Sequence, residues 1–151
     1  MRNILLLIFA AMLAGCSGTM RPGDCAMFAD VADDGWAYGD TLEFVFPADT
    51  AGNSRHVALC VRHDGAYPYS NLWVEVSMPS ADTVHVDTID IQLADRYGRR
   101  LGRGSGVSFI KIDTLVRELQ STDTLVQVRH IMRLDTLAGI TQIGAFAFEA
   151  H

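Results

Sequence analysis

The sequence predicts an all-β fold, a single antiparallel β-sandwich of jelly-roll or immunoglobulin-like type with about seven strands. Three observations predict it. From Thr41 onward apolar and polar residues alternate with a period of two, and the alternating runs are rich in Val, Ile, Thr, Phe and Trp. Turn-forming clusters interrupt these runs at near-regular spacing. No rhythm of strand, helix and parallel strand is present.

The N-terminus is read first, because it sets the compartment. Arg2, an apolar run from Ile4 to Met12 and the small residues Ala14 and Gly15 form a signal peptide over residues 1–15. A run of nine residues is too short to cross a bilayer as a helix, which takes roughly 20. Leu13-Ala14-Gly15-Cys16 resembles the bacterial lipobox, whose cysteine thiol is acylated before cleavage ahead of it. That resemblance implies lipidation at Cys16 and attachment to a membrane.

Residues 17–35 are rich in Gly, Asp, Ala and Ser, contain Pro22 and show no sustained period, so residues 16–39 are expected to be the lipidated start and a tether. Ser17–Arg21 carries no acidic run of the kind that directs lipoproteins to the cell surface. A domain facing the periplasm is therefore expected. Residues 40–151 are expected to form the sandwich, a length that can bury one core.

Within it the strands are Thr41–Phe46, Arg55–Arg62, Leu72–Met78, Thr83–Leu93, Ser108–Ile112, Thr124–Arg133 and Ile143–Phe148. In the third, Leu72, Val74, Val76 and Met78 share one face and Trp73, Glu75 and Ser77 the other. In the fourth the apolar phase slips near Thr88, which predicts a β-bulge or a bend. Turns are expected at 47–52, 63–68, 79–82, 95–98 and 135–139. A short helical piece is expected around Thr114–Gln120.

The formal charge is −6 with no basic stripe, and losing Arg2 with the signal makes the chain more acidic still. Nucleic acid is excluded as a partner on that ground. With Cys16 acylated, Cys25 and Cys60 remain, in an oxidising compartment. Two states stay open for them: two buried thiols, or a disulfide whose closed loop would stabilise by about 4 kcal/mol in the chain-entropy picture.

Histidines stand at 56, 63, 85, 130 and 151, but no zinc-ligand spacing accompanies them, so no metal is expected. There is no Gly-x-Ser-x-Gly elbow, and most Asp residues precede Thr in turn or outward-strand settings. No catalytic residue and no cofactor is assigned. The run Gly98–Gly106, with Arg99, Arg100 and Arg103 among its glycines, lacks the Lys-Ser/Thr of a phosphate loop and reads as an irregular hairpin. The aromatics Tyr67, Tyr69 and Trp73, or Trp36 and Tyr38, could stack on sugar rings or anchor a partner, or else pin their own loops to the sheet.

The chain resembles the gliding-motility-associated GldH lipoprotein family of the Bacteroidetes, a resemblance that starts at the lipobox cysteine and short tether and is strongest in this segment. The resemblance rests on Tyr67-Pro68-Tyr69-Ser70-Asn71-Leu72-Trp73, Asp87-Thr88-Ile89, Asp95-Arg96-Tyr97-Gly98 and Leu101–Gly106. Val128–Arg133 and Leu137–Gly144 continue it, in the same order over roughly residues 40–150. It implies a non-enzymatic envelope lipoprotein, held in the outer membrane and acting with other lipoproteins and type IX secretion proteins. The rival reading is a carbohydrate-binding β-sandwich lipoprotein of the surface or periplasm.

Overall fold

The computed structural model describes residues 25–105, 107–114 and 117–149. Eleven strands follow in order among the described residues: β1 (Cys25–Asp30), β2 (Trp36–Ala37), β3 (Leu42–Val45), β4 (Arg55–Asp64), β5 (Asn71–Pro79), β6 (Val84–Gln92), β7 (Arg103–Ser105), β8 (Ser108–Thr114), β9 (Leu125–His130), β10 (Thr136–Leu137) and β11 (Ile140–Glu149).

Period-two burial assembles them. In β5 the side chains of Leu72, Val74, Val76 and Met78 are buried while Trp73 stands outside. β5 pairs antiparallel with β6 on one side and β9 on the other, and β3 adds beyond β9. The second sheet has the order β1-β11-β4-β8-β7, facing a first sheet ordered β3-β9-β5-β6. Successive long strands alternate between the sheets, apart from the β5–β6 hairpin. This is the jelly-roll arrangement of two four-stranded sheets, with β7 added at one edge, and not the immunoglobulin one.

The core lies between the sheets. Val57, Leu59 and Val61 of β4 meet Val74 and Val76 of β5 and Val126 and Val128 of β9 in one buried cluster. Phe44 and Phe46 close it beside β3. Trp36 is fixed in the same cluster by an indole N–H donated to the Asp40 carbonyl at 3.0 Å.

Each of the seven expected strands is present. Three elements depart from expectation, and each has a physical cause. Cys25–Asp30 is a strand, not tether, because Cys25, Met27 and Ala29 pack inward on the core while the backbone pairs with β11. The register of β5 with β6 runs unbroken from Asn71 opposite Gln92 to Pro79 opposite Val84, so no bulge occurs at Thr88. The apolar phase changes there because Val84 and Val86 point to solvent. No helix is present among the described residues near Thr114–Gln120: Thr114 ends β8, and Leu119 is buried and bridges Arg55.

Gly139 precedes β11 with φ +85°, and a Cβ there would collide with the backbone nitrogen of Tyr67. The close approach seats the Tyr67 ring in the core. Gly139→Ala should therefore destabilise the fold by about 1–3 kcal/mol in chemical denaturation. Gly65→Ala, where a Cβ meets nothing within 4 Å, should change it little.

His63 and His130 are buried, and each has one ring nitrogen without a partner, Nε2 and Nδ1 respectively. Burial holds both imidazoles below the usual histidine range, against the smaller opposing pull of the Asp64 and Trp36 carbonyls. The folded chain thus keeps the rings neutral while the unfolded chain protonates near ~6.5. Stability from this source is complete above that pH and is lost as the pH falls below it. Thermal unfolding should shift to lower temperature between about pH 7.5 and about pH 5.5, and His63→Phe should flatten that slope. An unchanged slope would show that the ring does not contribute.

Candidate interaction surface

Of the aromatic side chains singled out in the sequence, Trp36 and Trp73 lie in strands and Tyr38, Tyr67 and Tyr69 in the connections between them. Tyr67 is 0% exposed; its hydroxyl donates to the Asn71 carbonyl at 2.6 Å, and its ring tilts against His63 at 5.9 Å. Tyr69, 36% exposed, packs edge-on against Tyr67 at 5.6 Å. Trp73, 41% exposed, projects outward from β5. Tyr67 faces the core and Trp73 faces solvent, so the three rings do not form one stacking platform. Trp36 is buried as well, and Tyr38 lies edge-on to His130 at 5.6 Å. The pair Trp36 and Tyr38 therefore offers no platform either.

The outward face around Trp73 is polar. Arg129 donates from Nε and Nη2 to the Glu75 carboxylate at 2.8 and 3.1 Å, which holds Glu75 below the usual carboxylate range. Asn71 donates to Asp90 at 2.7 Å on the same side. Such a face is satisfied by its own ion pairs and by water.

The glycine segment is structural. A Cβ at Gly104, with φ +139°, would run into the carbonyl of Ser108 across the β7–β8 pair. Arg100 donates to the carbonyls of Tyr67 at 2.6 Å and Tyr69 at 3.2 Å, and Arg99 pairs with Asp95 at 2.8 Å. Two of the three arginines there are committed to the protein's own backbone or carboxylates.

Cys25 and Cys60 are both free thiols, so the disulfide left open by the sequence is not made. Strand phase forbids it. Cys25 faces inward with Met27, whereas Cys60 lies in the opposite phase from Val57, Leu59 and Val61 and faces outward. β11 runs between their strands, which puts the backbones about 10 Å apart before any offset along the strand. Burial raises the Cys60 thiol pKa, outweighing the nearby Arg62 charge.

The outward face that holds Cys60 was not anticipated. Register places Phe28 of β1 opposite Gly144, Gly144 opposite Cys60, and Cys60 opposite Ile112. One step along, Ala26, Phe146 and Ala58 form a second row. The small residues Ala58, Cys60 and Gly144 lie buried beneath their larger neighbours, with Phe28 and Phe146 on one side and Ile110 and Ile112 on the other. Phe28 is 52% exposed and Ile112 54% exposed. The Phe28 ring stands edge-on to Phe146 at 5.5 Å and covers Gly144, where a side chain would strike it. Apolar residues in both phases from Val57 to Val61, and again from Ala145 to Phe148, are the sequence signal of a strand apolar on both faces.

Among the described residues, no group of three or more His, Cys, Asp or Glu could hold a metal. Cys16 lies outside the described residues.

The family described as GldH lipoprotein matches residues 25–146. No curated protein matches. Among solved structures, the X-ray structure of tomato aspermy virus aligns with a TM-score of 0.36 and 9% identity, covering 100% of this chain and 96% of that chain. Likeness at that level carries no argument about fold or function.

The strand phases predict that Cys25 and Cys60 remain reduced even in an oxidising compartment. Thiol titration of the unfolded, unreduced protein should count both, and counting neither would contradict the register described above.

Proposed function

The chain belongs to the GldH lipoprotein family, and from that premise we propose that it is a non-catalytic envelope component held by acylated Cys16. In this reading the anchor lies in the outer membrane, the jelly roll faces the periplasm, and the domain works beside gliding-motility and type IX secretion proteins.

The observation that carries the reading is the family match together with the lipobox: the match begins at Cys25, nine residues after the lipobox-like cysteine Cys16. Residues 17–24 can span at most about 30 Å, so an acylated Cys16 would keep the domain beside its membrane. Two or three acyl chains are enough for stable anchoring. The absence of a shared aromatic platform in Tyr67, Tyr69 and Trp73 takes away the main support for glycan stacking.

Fractionation of cells carrying Cys16→Ala should move the protein from the membrane to the soluble envelope fraction. Retention in the membrane pellet would overturn the anchor. Capture of the wild-type lipoprotein from crosslinked envelopes should recover motility lipoproteins or secretion subunits. Recovery of polysaccharide-uptake proteins in their place would favour the carbohydrate-binding reading.

A further inference from the structure

We propose that the outward face of β1, β11, β4 and β8 is a lipid-contact surface, lying against the bilayer that holds Cys16. The proposal rests on the lipid-anchor reading above and adds an orientation to it. Three observations carry it.

The first is the distribution of charge. Outward positions in the middle of this sheet carry no acidic or basic side chain: Phe28, Gly144, Cys60 and Ile112 form one row across the strands, and Ala26, Phe146 and Ala58 the next. Ionisable side chains in that phase come toward the ends, with Asp30, Arg62, Asp64 and Arg103 at one and His56 at the other. The outward face of the other sheet also exposes apolar side chains, Val45, Trp73, Val84 and Val86, but sets Glu43, Glu75, Arg129 and Asp90 among them. A chain with 18 acidic residues has placed none of them in the middle of this face. Exposed contiguous apolar surface of that kind marks a site of contact with protein or lipid.

The second is where the chain leaves the fold. β1 is the edge strand of this sheet, and it starts at Cys25 beside Ala147 of β11. The connection to Cys16 runs through residues 17–24 and reaches about 30 Å at most. The sheet that bears the apolar face is therefore the one tied to the membrane. A surface tethered at that range meets the bilayer at a high effective concentration, so modest intrinsic affinity suffices to keep it down.

The third is the kind of side chain. The Phe28 and Phe146 rings, with Phe148 beside His56 at 5.8 Å, offer aromatic and aliphatic groups to the boundary between headgroups and acyl chains. An apolar face there sits roughly 5–10 Å deep.

Tryptophan quenching by lipid tests this on the full mature lipoprotein. The wild-type protein, Phe28→Trp, Ile112→Trp and Val86→Trp are reconstituted in phosphatidylethanolamine/phosphatidylglycerol vesicles with or without brominated acyl chains. Native Trp36 is buried and native Trp73 is on the opposite sheet, so wild-type emission should change little. The emission added by Phe28→Trp, and by Ile112→Trp on the far side of the same face, should fall by roughly half or more in the brominated vesicles. That added by Val86→Trp should not.

Unquenched emission from both Phe28→Trp and Ile112→Trp in protein that floats with the vesicles overturns the lipid contact and assigns the face to a protein partner. Quenching of Val86→Trp alone overturns it by turning the other sheet to the membrane. Protein that fails to float overturns the anchor itself, and is thereby told apart from a wrong orientation.

Discussion

β4 is the strand on which the rest of the structure depends. It is hydrogen-bonded along its length to β11 on one side and to β8 on the other, and its inward side chains Val57, Leu59 and Val61 are fully buried in the core. A strand so placed has no edge and little room for charge on its inner face. Its one inner-phase cation, Arg55, is at the end, where its guanidinium donates to the Pro47 carbonyl at 2.8 Å and its backbone pairs with Leu119. Burial of apolar area at roughly 25 cal/mol per Å² supplies the main stabilisation here, and strand pairing fixes which residues receive it.

The less usual property of β4 is that its outer phase, Ala58 and Cys60, is buried too, at 4% and 5% exposure. Neighbouring rings and branched side chains cover these small residues, and those neighbours are then left partly in water themselves. One apolar row therefore generates an apolar face. The opposite sheet solves the same problem by alternation, with Glu75 and Arg129 satisfying each other outside a wholly apolar inside. The two outward faces of one sandwich thus differ in charge: one sets ion pairs among its exposed apolar side chains, and the other has no ionisable side chain at its middle. In a chain anchored as proposed through Cys16, that difference would give the domain a preferred side.

Much of this was legible in the residues. Seven strands announced themselves through alternation in β-branched and aromatic residues, and the buried phase of β5 was readable position by position. β1 was not, because Cys25-Ala26-Met27-Phe28-Ala29-Asp30 lacks β-branched residues and follows a Gly- and Asp-rich stretch. Its identity as a strand comes from β11 alongside it. β2 and β10 are two residues each, too short for any period, and β7 contains the glycine demanded by close approach to β8. Val84 and Val86 misled in the other direction, since exposed valines imitate a shift of phase. The apolar outer face was hidden for a related reason: unbroken apolar runs in β4 and β11 give two-sided burial and one-sided burial the same appearance until pairing partners are known. Tyr67 and Trp73, at the two ends of one seven-residue motif, differ in role because Tyr67 lies in the loop before β5, folded into the core beneath Gly139, while Trp73 takes the outward phase of β5.

Photolabelling in native envelopes tests the central claim most directly. A phospholipid carrying a diazirine in its acyl chain is incorporated into cells making the wild-type lipoprotein, activated, and the lipid adducts are mapped by peptide mass spectrometry. Adducts concentrated on β1, β11 and β8, at Phe28, Phe146 and Ile112, with β5 and β6 unlabelled, are the result that a membrane-facing five-stranded sheet predicts. Adducts confined to the Cys16 segment, or spread equally over both sheets, would contradict it.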